Sequence, residues 1–165
     1  MAKKNKEYVI PFVGLKVGKH EFLFDINDSF FDDYEFSLIK KGQLKVKLFL
    51  EKKENMLVAD FTMKGVVETI CDCCNDVLSL PVKNTSKLIY TIGLEDFSDD
   101  NITVLHPDDF EIDVKYPIYE LISLSLPSKK KHTKGFCNPE MIEIMRKYMV
   151  NFDDTNVEPG TFSEN

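Results

Sequence analysis

No run of apolar residues in this chain approaches the roughly 18 positions that a membrane-spanning helix requires, so the sequence offers no bilayer segment. The first ten residues, MAKKNKEYVI, supply lysines but neither an apolar core nor a small-residue cleavage site, and do not read as a secretory signal. The expected compartment is therefore cytoplasmic, where thiols stay reduced, and structural disulfides are not expected from the four cysteines. Tryptophan is absent, and neither that nor the abundance of phenylalanine points to a function. No glycine-rich phosphate loop, Walker pattern or G-x-S-x-G elbow occurs. A surplus of positive charge is missing too: the formal net charge of −7 argues against a protein that coats nucleic acid through a uniformly basic surface.

What remains is an ordinary globular composition, 43% hydrophobic and 30% charged, at a length suited to one domain with a buried core. The expected domain covers residues 1–150, with a disordered acidic tail over 151–165. Charge is distributed unevenly. Between Glu95 and Asp113 every charged side chain is acidic, and Glu95, Asp96, Asp99 and Asp100 read as a mobile acidic loop. Lysines gather at Lys3, Lys4 and Lys6, from Lys40 to Lys53, and at Lys129, Lys130, Lys131 and Lys134, so local basic patches are compatible with the acidic total.

The patterning changes along the chain. KEYVIPFVGLKVGKHEFLFDI predicts two strands around a tight turn near Gly14–Gly18, with His20 outward and Phe22 and Phe24 inward. SFFDDYEF reads as a short helical turn or loop with Asn27, Asp28 or Ser29 as cap. In GQLKVKLFLEKK, residues Leu44, Val46, Leu48 and Leu50 point one way, with Lys45, Lys47 and Phe49 opposite. MLVADFTMKGVVETI repeats the period with Leu57, Ala59, Phe61, Met63 and Val67, and leaves Asp60, Thr62 and Lys64 on the other side. VLSLPVKNTSKLIYTIGL sets Leu88, Tyr90 and Ile92 on one side. The period then becomes helical, first in DVKYPIYELISLSLP and then in NPEMIEIMRKYM, where Asn138 is the N-cap, Pro139 the first helical residue, and Met141, Ile144, Met145 and Tyr148 a stripe. These patterns predict an α+β fold, an antiparallel β-sheet meander covered by C-terminal helices.

Three of the four cysteines fall in ETICDCCNDVLSLP. Cys71 and Cys74 have the C-x-x-C spacing of half a zinc site, and KKKHTKGFCNP supplies His132 and Cys137 as a second half. Zinc takes thiolate and imidazole in a tetrahedron, so Cys71, Cys74, His132 and Cys137 are the candidate metal ligands, with Cys73 as a spare thiol. Small buried or half-exposed thiols without a ligand are the competing reading, and residue chemistry alone leans slightly towards it. Redox chemistry is the least favoured, because a redox C-x-x-C opens a helix after a parallel strand, whereas this one joins antiparallel strands.

In SLPSKKKHTKGF, Lys129, Lys130, Lys131 and Lys134 could bind phosphates, with Phe136 beside them to stack on a base. Composition alone favours a solvated loop whose lysines serve solubility. The three histidines, His20, His106 and His132, are far apart in sequence and define no catalytic set, and His106 reads as part of a solvated turn around Pro107. Nothing marks the chain as an enzyme or points to a small-molecule substrate.

The run I-P-F-x-G-L-K-x-G-x-H-x-F-x-F over Ile10–Phe24, the C-x-x-C of Cys71 and Cys74, E-x-I-x-L-x-L-P within Tyr119–Pro127, and a basic stretch carrying His132 and Cys137 follow one another in fixed order. In this the chain resembles the YceD family over most of Lys6 to Tyr148, and HTKGFCNPEM is similar to the form seen in Bacteroidetes-type members. The resemblance implies a non-catalytic role in 23S ribosomal RNA accumulation or processing and large-subunit assembly, with ribosomal RNA or pre-ribosomal proteins as partners. A protein–protein adaptor that recruits another RNA-processing factor is the alternative. The family commonly shows C-x-R-C, and Cys73 occupies the arginine position here.

Overall fold

The computed structural model describes residues 6–94 and 99–148. Its elements are β1 (Val9–Ile10), β2 (Gly18–Ile26), α1 (Asp28–Phe31), β3 (Lys41–Lys52), β4 (Met56–Ile70), β5 (Val77–Ile92), β6 (Ile102–Leu105), β7 (Ile112–Asp113), α2 (Lys115–Leu124) and α3 (Pro139–Tyr148), with short 3-10 turns at Lys6–Tyr8 and Phe12–Gly14. The fold is α+β. Five strands form one sheet in the order β2-β3-β4-β5-β6, and β1 pairs with β7 in a separate two-stranded ribbon.

The alternation in the sequence explains the sheet. Leu44, Val46, Leu48 and Leu50 of β3, Leu57, Ala59, Phe61, Met63 and Val67 of β4, and Leu78, Val82 and Tyr90 of β5 are buried. Each large aliphatic side chain so buried contributes about 1.5–3 kcal/mol as an upper bound. Three antiparallel pairings join β2 to β3, β3 to β4 and β4 to β5. Helix α2 covers this face with Ile118, Leu121 and Ile122, preceded by the buried Val114.

Four details differ from the sequence reading. The sheet is mixed, because Ile102–Leu105 from the acidic segment runs parallel to β5. The N-terminal region forms no hairpin: β1 turns to β7, and β2 pairs with β3. What holds the intervening stretch is the Lys52 ammonium, which donates to the carbonyls of Phe12 (2.8 Å), Val13 (3.2 Å) and Leu15 (2.7 Å). His20 shares the face of Phe22 and Phe24, since all three are even-numbered on one strand, and its Nε2 lies 2.8 Å from the Lys16 carbonyl. Finally, α3 has the expected cap, with the Asn138 side chain accepting from the Glu140 N–H at 3.0 Å, but it buries no residue fully. Its stripe splits: Met141 packs on the cysteine cluster, whereas Ile144 and Tyr148 are exposed. Glu95, Asp96 and the tail 151–165 lie outside the described residues.

Gly65 lies opposite Leu44 where β3 and β4 approach closely. A Cβ there would stand 2.2 Å from the Gln43 carbonyl oxygen and 2.5 Å from the Leu44 Cα, both backbone atoms with little freedom to yield. Gly65→Ala is therefore expected to cost about 1–3 kcal/mol by overpacking, read as a lower urea midpoint with unchanged slope. A variant as stable as the parent would show that β3 can shift away from β4.

Candidate metal centre

Strands β4 and β5 are joined by a tight turn, Cys71 to Asp76. The Cys71 N–H donates to the Asp76 carbonyl at 2.8 Å and the Asn75 N–H to the Cys71 carbonyl at 3.0 Å. Asn75 sits at φ 60°, a left-handed conformation that asparagine tolerates better than most residues. This closes the turn so that the Cys71 and Cys74 side chains converge, and the Cys73 N–H points at the Cys71 sulfur at 3.4 Å.

The connector between α2 and α3 folds back over this turn. Asp72 and Lys130 clasp each other in both directions: the Asp72 N–H donates to the Lys130 carbonyl at 2.6 Å, and the Lys130 N–H donates to the Asp72 carboxylate at 2.7 Å. The Lys130 ammonium adds an ion pair at 3.1 Å. Lys130's backbone N–H, followed by its side chain, holds the Asp72 carboxyl below its usual range. A further contact, Asn138 Nδ2 to the Asp76 carboxylate at 3.1 Å, ties the start of α3 to the same turn.

This closure brings Cys71, Cys74, His132 and Cys137 together, with one ligand atom from each all within 4.8 Å of one another. The Cys71 and Cys137 sulfurs are 3.9 Å apart, Cys74 Sγ is 3.4 Å from His132 Nδ1, and Cys137 Sγ is 3.9 Å from the same nitrogen. A tetrahedron with metal–sulfur bonds of about 2.3 Å has edges of about 3.8 Å, so the donors already stand near coordination spacing. All four cysteines are free, and 3.9 Å is far beyond a disulfide bond. His132 Nε2 meets the Val77 carbonyl at 3.0 Å. A proton on Nε2 satisfies that contact and leaves the Nδ1 lone pair to face the sulfurs, the orienting arrangement common around metal-bound histidines.

The electrostatics separate the donors. Burial, the largest influence on Cys71, pushes its thiol up, but the N–H groups of Cys74, Cys73 and His132 and the Cys74 side chain outweigh it and bring the thiol down to about 6. The Val77 carbonyl raises the His132 imidazole, more than burial lowers it, and hydrogen bonding to Cys71 and Cys74 adds to the rise. Cys137 is pushed up to about 12, by burial first and then by its contacts with Cys71 and Cys74. Of these three groups only Cys71 is thus shifted toward its charged form as a thiolate, while Cys137 and His132 hold their protons more tightly, and a metal ion would have to displace those protons on binding.

The four lysines of the connector have different situations. Lys129, Lys131 and Lys134 are exposed, as is Phe136, whereas Lys130 is largely covered and committed to Asp72. Cys73 is half-buried at the edge of the cluster and is not among the four converging donors. His106 is remote from this chemistry: it turns back on Asp108 and Asp109 within its own loop. Two supporting groups carried no signal in the sequence, the Asp72–Lys130 clasp and the Val77 carbonyl, because both depend on which distant segments meet.

No protein-family model matches the chain, and neither the curated proteins nor the solved structures give a significant match. Among the described residues no helix is long and apolar enough to cross a membrane.

Protein prepared without chelator is expected to carry about one equivalent of metal per chain by elemental analysis. Less than about a tenth of an equivalent would return the cluster to unliganded thiols. Asp72→Ala, which releases the connector without touching a ligand, should weaken metal binding about 10- to 100-fold in competition with a chromophoric chelator. Unchanged affinity would show that the clasp is dispensable.

Proposed function

We propose that this protein is a non-catalytic factor supporting 23S ribosomal RNA accumulation or processing and assembly of the large ribosomal subunit, and that Cys71, Cys74, His132 and Cys137 hold a structural zinc ion. The observation that carries this reading is the cluster itself. Three thiolates and one imidazole make a closed set of four protein ligands, the composition of structural rather than catalytic zinc sites, which keep an open position. Zinc here would pin the connector to the β4–β5 turn and so present Lys129, Lys131 and Lys134 from a fixed loop. The ordered motifs from Ile10 to Cys137 that resemble the YceD family support the ribosomal assignment. A cytoplasmic location belongs to the same reading.

Lys130 is withdrawn from the RNA contact, because its ammonium already serves Asp72. Exposed lysines would neutralise phosphates and give modest, salt-sensitive affinity. Charge reversal at Lys129, Lys131 and Lys134 is expected to reduce cosedimentation with large-subunit particles while the thermal midpoint stays unchanged. Undiminished cosedimentation would remove this loop from the interface.

One feature favours the adaptor alternative. Phe136, Ile144 and Tyr148 leave apolar surface open to solvent around the connector and α3, suited to a protein partner. Pulldown from nuclease-treated lysate separates the two readings: large-subunit partners retained after RNA removal favour the adaptor, and their loss favours direct RNA contact.

A further inference from the structure

The solvent face of the sheet carries a row of three lysines. The register places Lys45 directly opposite Lys64, and Lys64 directly opposite Lys83. Directly opposed residues lie about 4.5–5.5 Å apart, so three ammonium-bearing stems rise within a span of about 10 Å. All three residues are exposed.

Like charges directly opposite each other destabilise a sheet, and the rest of this face avoids them. Lys19 is opposite Glu51, Lys41 is opposite Glu68, and Lys87 is opposite Asp60 with an ion pair at 3.3 Å. Lys47, which neighbours the row, is neutralised by Glu21 at 3.0 Å. Lys64 instead has a lysine on either side and Thr62 and Val66 along its own strand. Asp25 is opposite Lys45, yet among the described residues none of the three lysines forms an ion pair. Asp25 thus offsets only the Lys45 end of the row, and among the described residues Lys64 and Lys83 have no acidic residue directly opposite them, although the chain as a whole is acidic.

We propose that the Lys45–Lys64–Lys83 row is a docking surface for the phosphodiester backbone of an RNA strand. Like charges repeated at strand spacing across one face of a sheet match a polyanion whose charges also recur at regular intervals. Thr62, Thr85 and Gln43 flank the row and offer hydrogen-bond donors to phosphate oxygens. None of the immediate neighbours is aromatic, so the contact reads backbone rather than bases. An acidic protein surface fits less well, because the row lacks the aromatic or arginine anchor on which protein interfaces concentrate their binding energy. The choice of RNA among polyanions rests on the functional reading above; the row itself does not.

The test replaces the row with Lys45→Gln, Lys64→Gln and Lys83→Gln together and follows binding of a labelled polyuridylate oligomer by fluorescence anisotropy over a salt series. Each lost phosphate contact should lower the slope of log affinity against log salt by about 0.7, so the triple variant should lose about 2 from the slope. If both lines converge at 1 M salt, that corresponds to roughly 100-fold weaker binding at 0.1 M. The thermal midpoint should equal or exceed that of the parent, since repulsion is relieved, which separates loss of binding from loss of fold. Superimposable salt plots for parent and variant, or a parent that does not bind polyuridylate, overturn the proposal. So does a variant that retains polyuridylate binding and loses only binding to polyglutamate, which would assign the row to an acidic protein. A parent that binds polyuridylate through the row but fails to sediment with large-subunit particles supports the row and overturns the ribosomal reading.

Discussion

A strand of period two can bury only every second side chain, and in β3, β4 and β5 most of those positions are apolar, with Leu44 to Leu50, Leu57 to Met63, Val67, Leu78, Val82 and Tyr90 buried. Slipping any of these strands by one residue would turn its apolar set to water and its lysines inward, so the burial of one face locks the pairing of all three. Much of the rest follows from that lock. It puts the β4–β5 turn, and with it Cys71 and Cys74, at one end of the sheet. It also fixes which polar residues stand side by side on the opposite face, where no core packing selects them.

The second organising event is the return of the α2–α3 connector to the β4–β5 turn. It joins segments nearly sixty positions apart through backbone as well as side-chain contacts, because Asp72 and Lys130 exchange main-chain hydrogen bonds like residues of a short ladder. The sulfur and imidazole donors are then carried by two pieces of chain that are each constrained before any metal is considered. Preorganisation of this kind lowers the ordering entropy that a metal would otherwise have to offset. It also anchors α3, which among the described residues meets the β4–β5 turn through Met141 and Asn138.

The sheet's buried face was legible in the sequence because periodicity and burial are the same constraint seen twice: Leu44 through Leu50 and Leu57 through Val67 fall where their alternation puts them. Helix α2 was legible for the same reason, from Val114 to Ile122. Strand β6 was not, because Ile102–Leu105 is too short to show a period and sits in an acidic stretch. The pairing of β1 with β7 depends on a contact across about a hundred residues, which local pattern does not encode. Within the candidate site the four donors could be named from residue chemistry and spacing. That Lys130 is spent on Asp72, while Lys129 and Lys131 are not, depends on the connector's path. The lysine row was half legible: Lys45 and Lys64 read as outward-facing, but only the register makes them neighbours.

Strand β5 bears on how copies of this protein behave towards one another. Strand β6 covers only its last four residues, so from Val77 to Leu88 its outer side has no strand partner among the described residues. A bare margin of that length invites a strand from another molecule and, through it, aggregation. Pro81 lacks the N–H that such an addition would use, and Lys83 and Lys87 place charge along the same margin. The strand thus carries its own protection against edge-to-edge assembly, and substitutions that removed this proline and these charges would expose the chain to fibrous self-association before they disturbed its core.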